Sequence, residues 1–309
     1  MFDTDTFLTT LYVIVDTFCK THLPDRSKKP GPQPSLSVSE VLTLTLFGQW
    51  ARFRSERDFY RWAQLHLRQA FPTLPDYSQF NRLERAHQAQ LVAFFRYTVQ
   101  MARGEWDLYE IIDGYGVAVR NLNRRGRGWL PLSANKGRCS RLGFYIGFQV
   151  LDAITSEGVI TGFGYGAARE KDQTLAETFL AARAQPQPGL GSVGDFTEHV
   201  YVADKGFVGY DWHMRCATEY GACVLNSPRV CDPQKWPVWL HTLHAGLRQM
   251  IETVHDKILN TFRLDTERPH TLGGFNARLT AKECLHNFCI WLNKQVGRHP
   301  LEFADLITW

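Results

Sequence analysis

Three carboxylates in this chain have the residue type and the surroundings of a phosphodiester-cleaving site. Asp113 lies inside the apolar segment EIIDG, where a buried carboxylate needs a partner or a cation. Asp204 follows the apolar run VYVA and precedes Lys205 and a glycine, at a strand end where open α/β sheets place binding groups. Glu252 lies at the edge of an apolar helical stripe, one turn after Arg248, which can pair with it.

Oxygen ligands from three separate elements suit Mg²⁺ or Mn²⁺. Two such ions, about 4 Å apart, activate a water or a 3′-hydroxyl and stabilise the leaving oxygen of a phosphodiester. Each acid also has a purely structural interpretation. Asp113 can form a turn at a strand end, Asp204 can cap a turn or helix, and Glu252 can be a solvated partner of Arg248.

Other polar residues near these three have competing interpretations. Asp172 begins a helix and is predicted to be its N-cap, with a fourth site carboxylate as the alternative. Asp256, one turn after Glu252, is the alternative third ligand. Three histidines of the same region lack the Cys/His spacing of a zinc site and are predicted to lie on the surface: His241, His244 and His255.

Positive charge is concentrated beside the first acid. The whole chain has 35 Lys and Arg against 31 Asp and Glu, a formal net charge of +4. Residues 114–151 nevertheless contain no acid and these basic residues: Arg120, Arg124, Arg125, Arg127, Lys136, Arg138 and Arg141. Such clustering predicts a polyanionic partner that these side chains bind through its phosphates, with a solvated basic loop as the alternative.

The composition is that of an ordinary globular protein. A chain of 309 residues is long enough for two domains, and 44% hydrophobic with 21% charged residues argues against disorder. No apolar run is long enough to cross a membrane, and the N-terminus carries acids where a signal peptide carries basic residues. The seven cysteines include no C-x-x-C pair, which predicts reduced thiols in a cytoplasm.

Hydrophobic periodicity divides the chain near residue 103. Residues 1–103 predict four or five helices, one of them capped by Ser37 and Glu40, another by Ser55, and a long one from Ser78 to about Arg103. Residues 104–309 predict three strands, a helix from Asp172 to Ala184, a strand, a helix from about Tyr210 to Tyr220 and a further strand. Two helices follow, roughly Leu243–Arg263 and Ala281–Val296. That order favours an α/β fold with a mixed sheet covered by helices on both faces.

The segments IIDG, YVADKGF and LRQMIETVHDKI resemble the three acid motifs of bacterial insertion-sequence DDE transposases. The third family motif reads Tyr-x2-Arg-x3-Glu-x6-Lys, and Arg248 and Glu252 match it. Ala245 stands in place of the Tyr and Leu259 in place of the Lys, two residues after Lys257. The interval of 48 residues between Asp204 and Glu252 resembles the compact members, which lack an inserted β-domain. The resemblance covers about residues 105–296.

The resemblance implies a ribonuclease-H-like catalytic domain over 104–309 and an all-α DNA-binding domain over 1–103. Asp113, Asp204 and Glu252 would then be the catalytic acids and the ligands of two Mg²⁺ or Mn²⁺ ions. Arg248 would steady Glu252 or contact a phosphate, and Lys205 would contact the DNA backbone.

The implied reaction is cleavage at the ends of a mobile element and transfer of the released 3′-hydroxyls into target DNA. The implied partners are double-stranded DNA and a second copy of the chain in a synaptic dimer, with no membrane, in the bacterial cytoplasm and associated with the nucleoid. The alternatives are a ribonuclease-H-like nuclease or resolvase, and a non-catalytic DNA-binding protein derived from a transposase.

Overall fold

The computed structural model describes residues 1–24, 34–104, 107–123, 130, 133–185, 199–228 and 235–309. The protein belongs to the mixed α/β class, as the sequence predicts, with a curled mixed sheet flanked by helices. The chain forms two compact units, one built from residues 1–102 and 257–309 and the other from residues 103–256.

The first unit is almost entirely helical. Its helices are α1 (Thr4–His22), α2 (Val38–Phe47), α3 (Glu56–His66), α4 (Tyr77–Ala86), α5 (Gln88–Ala102) and α9 (Leu272–Gln295). A π-helical turn at Lys257–Thr261 and a 3₁₀ turn at Leu264–Thr266 precede α9. Two short parallel strands, β1 (Phe2–Asp3) and β8 (Ile307–Thr308), pair with each other.

Local sequence signals explain where the early helices begin. Ser37 and Glu40 form the predicted capping box of α2, and Ser55 caps α3 by accepting a hydrogen bond from the Asp58 amide. The single long helix predicted from Ser78 to about Arg103 is wrong, because α4 ends before His87 and α5 begins directly after it.

The second half of the chain does not fall into one unit, contrary to the predicted domain 104–309. Helix α9 packs with the helices of residues 1–102: Phe288 stacks edge-on against Phe7, and the Lys294 ammonium donates to the Ala102 carbonyl. Since α9 is buried on nearly every side, it needs apolar neighbours all around, and the other helices of this unit supply them.

The second unit contains a six-stranded sheet. Its strands are β2 (Glu110–Arg120), β3 (Asn135–Cys139), β4 (Gly143–Ile154), β5 (Ile160–Ala167), β6 (His199–Ala203) and β7 (Ala222–Asn226). The path runs β3-β4-β2-β6-β7, and β5 also pairs with β4. Strand β4 is antiparallel to β2, β3 and β5, while β2, β6 and β7 are mutually parallel.

Helices cover both faces of this sheet. Helices α6 (Asp172–Ala184) and α7 (Tyr210–Tyr220) pack on the face that carries Ile112 and Ala203. Successive side chains of a strand point to opposite faces, so Asp113 and Tyr115 belong to the other face. Helix α8 (Val238–Asp256) packs there, where its His255 ring lies 4.2 Å from the ring of Tyr115.

Most elements predicted over residues 104–309 are present, and α8 covers Val238–Asp256 where a helix over roughly Leu243–Arg263 is predicted. Two further differences concern β3 and α9. Strand β3 lies in the basic segment and was not predicted, because its residues lack apolar alternation. Helix α9 begins at Leu272, well before the predicted start at Ala281. Within the described ranges, no helix has the length and apolar character needed to cross a membrane.

Candidate functional site

Asp113 and Asp204 are brought side by side by the parallel pairing of β2 and β6. The last paired residues of the two strands are Ile112 and Ala203. Asp113 and Asp204 follow directly, so they occupy equivalent positions on two neighbouring strands, on the face covered by α8. The parallel pairing therefore brings two of the three predicted acids to neighbouring positions.

The Asp113 carboxyl lies in an environment that disfavours its charge. The pKa of Asp113 is raised to about 7, mainly by burial and also by the negative charges of Asp172 and Asp204. The Gly114 amide, which donates to its Oδ1 at 2.9 Å, and the charge of Arg248 oppose that rise. A carboxyl with this pKa next to other acids is the signature of a site built to receive positive charge.

Arg248 of α8 joins the second and third predicted acids. Its Nη1 lies 3.5 Å from Asp204 Oδ1, and its Nη2 lies 3.4 Å from Glu252 Oε1. The Glu252 side chain is 61% exposed, so it stands at the solvent side of this pair. Asp256, the alternative third ligand, is the last residue of α8 and is also exposed.

A buried histidine holds α8 against the end of β6. His244 Nε2 lies 2.9 Å from the carbonyl oxygen of Ala203, the residue directly before Asp204. Burial lowers the pKa of His244, which keeps the ring neutral. The prediction that His244 and His255 lie on the surface is wrong, because both are buried, whereas His241 is exposed.

Asp172 does not cap α6, contrary to prediction. The N-cap is Lys171, and Asp172 instead accepts a hydrogen bond from Gln149 Nε2 at 2.7 Å. Gln149 in turn accepts from the Tyr145 hydroxyl at 3.0 Å. Burial raises the pKa of Asp172, and the charge of Asp204 adds to that rise. Asp172 is therefore an acid of the site, held in place from the sheet.

The glycine of the IIDG segment makes room for Asp172. A Cβ on Gly114 would lie 2.4 Å from Asp172 Oδ1, closer than real contacts allow. Gly114 thus has a steric role beside the first acid, which the sequence alone does not reveal.

Sequence reasoning missed a buried polar group on the strand next to Asp113. Asp152 of β4 pairs with Asp113 across the antiparallel ladder and is fully buried. Its carboxyl lies 3.7 Å from His255 Nε2. Burial raises the pKa of Asp152 and lowers that of His255, so the pair is neutral at pH 7. The signal was available, since Asp152 interrupts an apolar strand as Asp113 does.

The basic segment is described only in part. Arg124, Arg125 and Arg127 lie outside the described residues. The exposed side chains of Lys136 and Arg138 project from β3 beside the Phe144 ring, 4.6 Å and 5.4 Å from its centroid. Two others are more constrained: Arg120 is half-buried, and Arg141 donates to the Gly116 carbonyl at 2.8 Å. Lys205 is exposed beside Asp204.

Carboxylates of the candidate site lie near Arg248, but they are not arranged as the ligands of one metal ion. Among the residues that the structure describes, no group of three or more His, Cys, Asp or Glu side chains is arranged to hold a metal ion. Asp113, Asp172 and Asp204 influence one another electrostatically, and Glu252 is linked to them through Arg248. All four acids offer oxygen ligands, which divalent Mg²⁺ and Mn²⁺ prefer.

Comparison with known proteins identifies no relative. No protein-family model, no curated protein and no solved structure matches the chain.

Proposed function

We propose that this protein is a DNA transposase of the DDE type with a ribonuclease-H-like catalytic core. One observation carries the proposal: Arg248 contacts both Asp204 and Glu252, while Asp113 stands on the neighbouring strand beside Asp204. These are the three acids and the arginine of the motifs that the sequence shares with insertion-sequence transposases.

The order of elements in residues 103–256 supports the fold assignment. Three antiparallel strands (β2, β4 and β5) are followed by α6, β6, α7, β7 and α8. Apart from the short strand β3, this is the order that the resemblance to a ribonuclease-H-like core implies. In such a sheet the acids meet where the parallel strands end, which agrees with the neighbouring positions of Asp113 and Asp204.

Asp113, Asp204 and Glu252 are the residues that would hold Mg²⁺ or Mn²⁺, since their oxygen donors come from three separate elements. Two bound ions would polarise the scissile phosphate and its attacking oxygen. Arg248 balances the negative charge of Asp204 and Glu252 and orients both side chains. Lys136, Arg138 and Lys205 are exposed, and they would bind DNA phosphates.

The proposed chemistry needs no covalent protein intermediate. Water attacks a phosphodiester at the element end, the P–O3′ bond breaks, and a 3′-hydroxyl is released. That hydroxyl then attacks a target phosphodiester, forming a new P–O bond and displacing the target 3′-oxygen. The partners are double-stranded DNA and a second copy of the chain, which pairs the two ends, in the bacterial cytoplasm at the nucleoid.

The test uses the purified full chain and labelled duplexes carrying the terminal repeats that flank its own gene. Reactions contain Mg²⁺ or Mn²⁺, with EDTA as the metal-free arm. Asp113→Asn, Asp204→Asn and Glu252→Gln each remove one charge and keep the side-chain size. Glu219→Gln on α7, on the opposite face of the sheet, is the matched control, and Asp256→Asn tests the alternative third ligand.

We expect metal-dependent nicking and joined products from the wild type and from the Glu219 control. The three site variants should lose at least a hundredfold in rate while still binding DNA. Cleavage without joining would instead indicate a nuclease or resolvase. Binding without cleavage by the wild type would indicate a non-catalytic derivative, and activity that survives Glu252→Gln but not Asp256→Asn would move the third ligand to Asp256.

A further inference from the structure

A polar cavity of about 450 Å³ lies in the helical unit, and none of the acids described above lines it. Its walls come from α4, from the start of α9 and from the segment just before α9. The volume falls in the range of ordinary ligand sites and exceeds what a lone inorganic anion fills. Four arginines line it: Arg82, Arg85, Arg268 and Arg278.

Two of these arginines carry charge that no described acid neutralises. Arg85 Nε donates to the Asn81 carbonyl at 3.0 Å, and Arg82 contacts the Gln79 amide oxygen at 3.5 Å. Neither forms an ion pair with any acid in the described part of the chain. Their partners are neutral acceptors, which fix the side chains and leave the positive charge facing the cavity.

The other two arginines are held rigidly. Arg268 donates to the carbonyl oxygens of Asp265 and Glu267, at 3.0 Å and 2.7 Å. Arg278 forms a bidentate pair with Glu56, so one of the two acids lining the cavity is already neutralised. A guanidinium that is fixed in advance loses little freedom when it binds an oxyanion.

The remaining acid is Glu84, which lies near the charges of Glu56 and Arg278. Its side chain lines the cavity and the residue is only 7% exposed. Burial raises the pKa of Glu84 to about 8, and the charge of Glu56 adds to the effect. The raised pKa favours the uncharged carboxyl, which does not repel an anion.

The first turn of α9 adds a favourable dipole. Thr271 caps the helix by accepting from the Gly274 amide at 3.1 Å, and both residues line the cavity. The positive end of a helix of 24 residues thus faces the same space as the arginines.

We propose that this cavity binds a phosphate group of the DNA backbone through the guanidinium groups of Arg82, Arg85 and Arg268. The identity of the ligand as DNA rests on the proposed function, whereas the anion site itself follows from the cavity. The space beyond one phosphate accommodates the attached sugar.

The experiment measures the affinity of the full chain for a labelled duplex carrying its terminal repeats, and for a duplex of random sequence, across a salt series without divalent metal. The test variant is Arg82→Gln with Arg85→Gln. The control is Arg57→Gln with Arg61→Gln, which removes the same charge from exposed positions of α3 outside the cavity. Arg268→Gln is a second, independent test variant, and thermal unfolding verifies that each protein is folded.

We expect the cavity variants to bind both duplexes about tenfold or more weakly, and the slope of log K against log salt to fall by about 1 to 2. The control pair should change affinity less than twofold. Equal losses in the cavity and control variants would overturn the proposal, because charge alone would then explain them.

A parallel arm adds 10 mM inorganic phosphate or a mononucleotide to the protein and measures the melting temperature. Stabilisation by these small anions, together with unchanged DNA affinity in the cavity variants, would overturn the assignment to DNA. The test of the cavity is independent of catalysis. If the wild type cleaves DNA and the cavity variants bind DNA normally, only the proposal of a phosphate site in the cavity is refuted. Loss of binding in those variants supports the cavity even if the wild type never cleaves.

Discussion

At the scale of single residues, the site depends on an unusual juxtaposition of a glycine and an acid. Asp172 Oδ1 occupies the space that a side chain on Gly114 would need, and Gln149 fixes it there. The acid is therefore held over the strand that carries Asp113. This contact explains why a residue without a side chain follows the first acid.

We predict that Gly114→Ala destabilises the protein by about 1–3 kcal/mol, because the new methyl group collides with the Asp172 carboxylate. In an Asp172→Ala background the same change should cost less, since only the milder contact with Gln149 Nε2, at 3.0 Å, remains. In an Asp172→Asn background, which keeps the side-chain volume, the cost should remain. Urea unfolding of the single and double variants measures the coupling. Additive effects for Gly114→Ala and Asp172→Ala would contradict the steric explanation.

The sequence predicted Asp113 and Asp204 as site acids because one interrupts and the other ends an apolar run, and the strand pairing brings them to neighbouring positions. It could not predict the role of Asp172, since a helix-initial aspartate is ordinarily a cap. Asp152 was missed although it follows the same rule as Asp113. His244 was missed because its burial depends on contact with the Ala203 carbonyl, a partner 41 residues away in sequence.

At the scale of elements, the sequence predicted correctly those helix starts and limits that nearby residues determine. The capped starts of α2 and α3 and the limits of α6 and α7 agree with the prediction. Strand β3 has no apolar alternation and exists through pairing with β4. The start of α9 was missed because two consecutive glycines ordinarily indicate a loop, whereas Thr271 caps a helix there.

Helix α9 also carries buried charge that no periodicity reveals. Lys282 is fully buried and its ammonium lies 3.1 Å from Glu267 Oε1, while Gln49 accepts a second hydrogen bond from it. Arg263 and Arg278 also lie within 3.5 Å of the Glu267 carboxylate. Burial alone would raise the pKa of Glu267, but the charges of these three cations lower it to about 2.

We predict that Glu267→Gln destabilises the helical unit by about 3–5 kcal/mol, because it leaves Lys282 buried without a counter-charge. The stabilisation that Glu267 provides should be complete above its unfolded pKa near 4.5 and disappear as the pH falls toward about 2. Thermal unfolding between pH 3 and pH 7 should show a shallower pH dependence for Glu267→Gln than for the wild type. The control Glu302→Gln, an exposed acid of the same unit, should follow the wild type. A cost below about 1 kcal/mol at pH 7 would contradict the argument.

At the scale of the whole molecule, the two compact units differ in how the chain builds them. Residues 103–256 form their unit from one continuous segment, which contains the acids of the candidate site. The helical unit needs two segments, because α9 supplies core side chains to the helices of residues 1–102. Besides the contact of Phe288 with Phe7, the Cys284 thiol lies 3.7 Å from the Leu91 carbonyl of α5.

This difference predicts how fragments of the chain behave. Residues 103–256 expressed alone should unfold cooperatively on heating, because their sheet and its covering helices are complete. Residues 1–102 alone should lack a cooperative transition, since the core positions next to α9 are left open to water. Adding a peptide of residues 257–309 should restore the transition and slow amide hydrogen exchange in α1, α2 and α5. Circular dichroism and hydrogen exchange provide both measurements.

A cooperative transition of residues 1–102 without the peptide would show that the helical unit does not depend on its C-terminal segment. It would also restore the domain boundary near residue 103 that the sequence alone suggests.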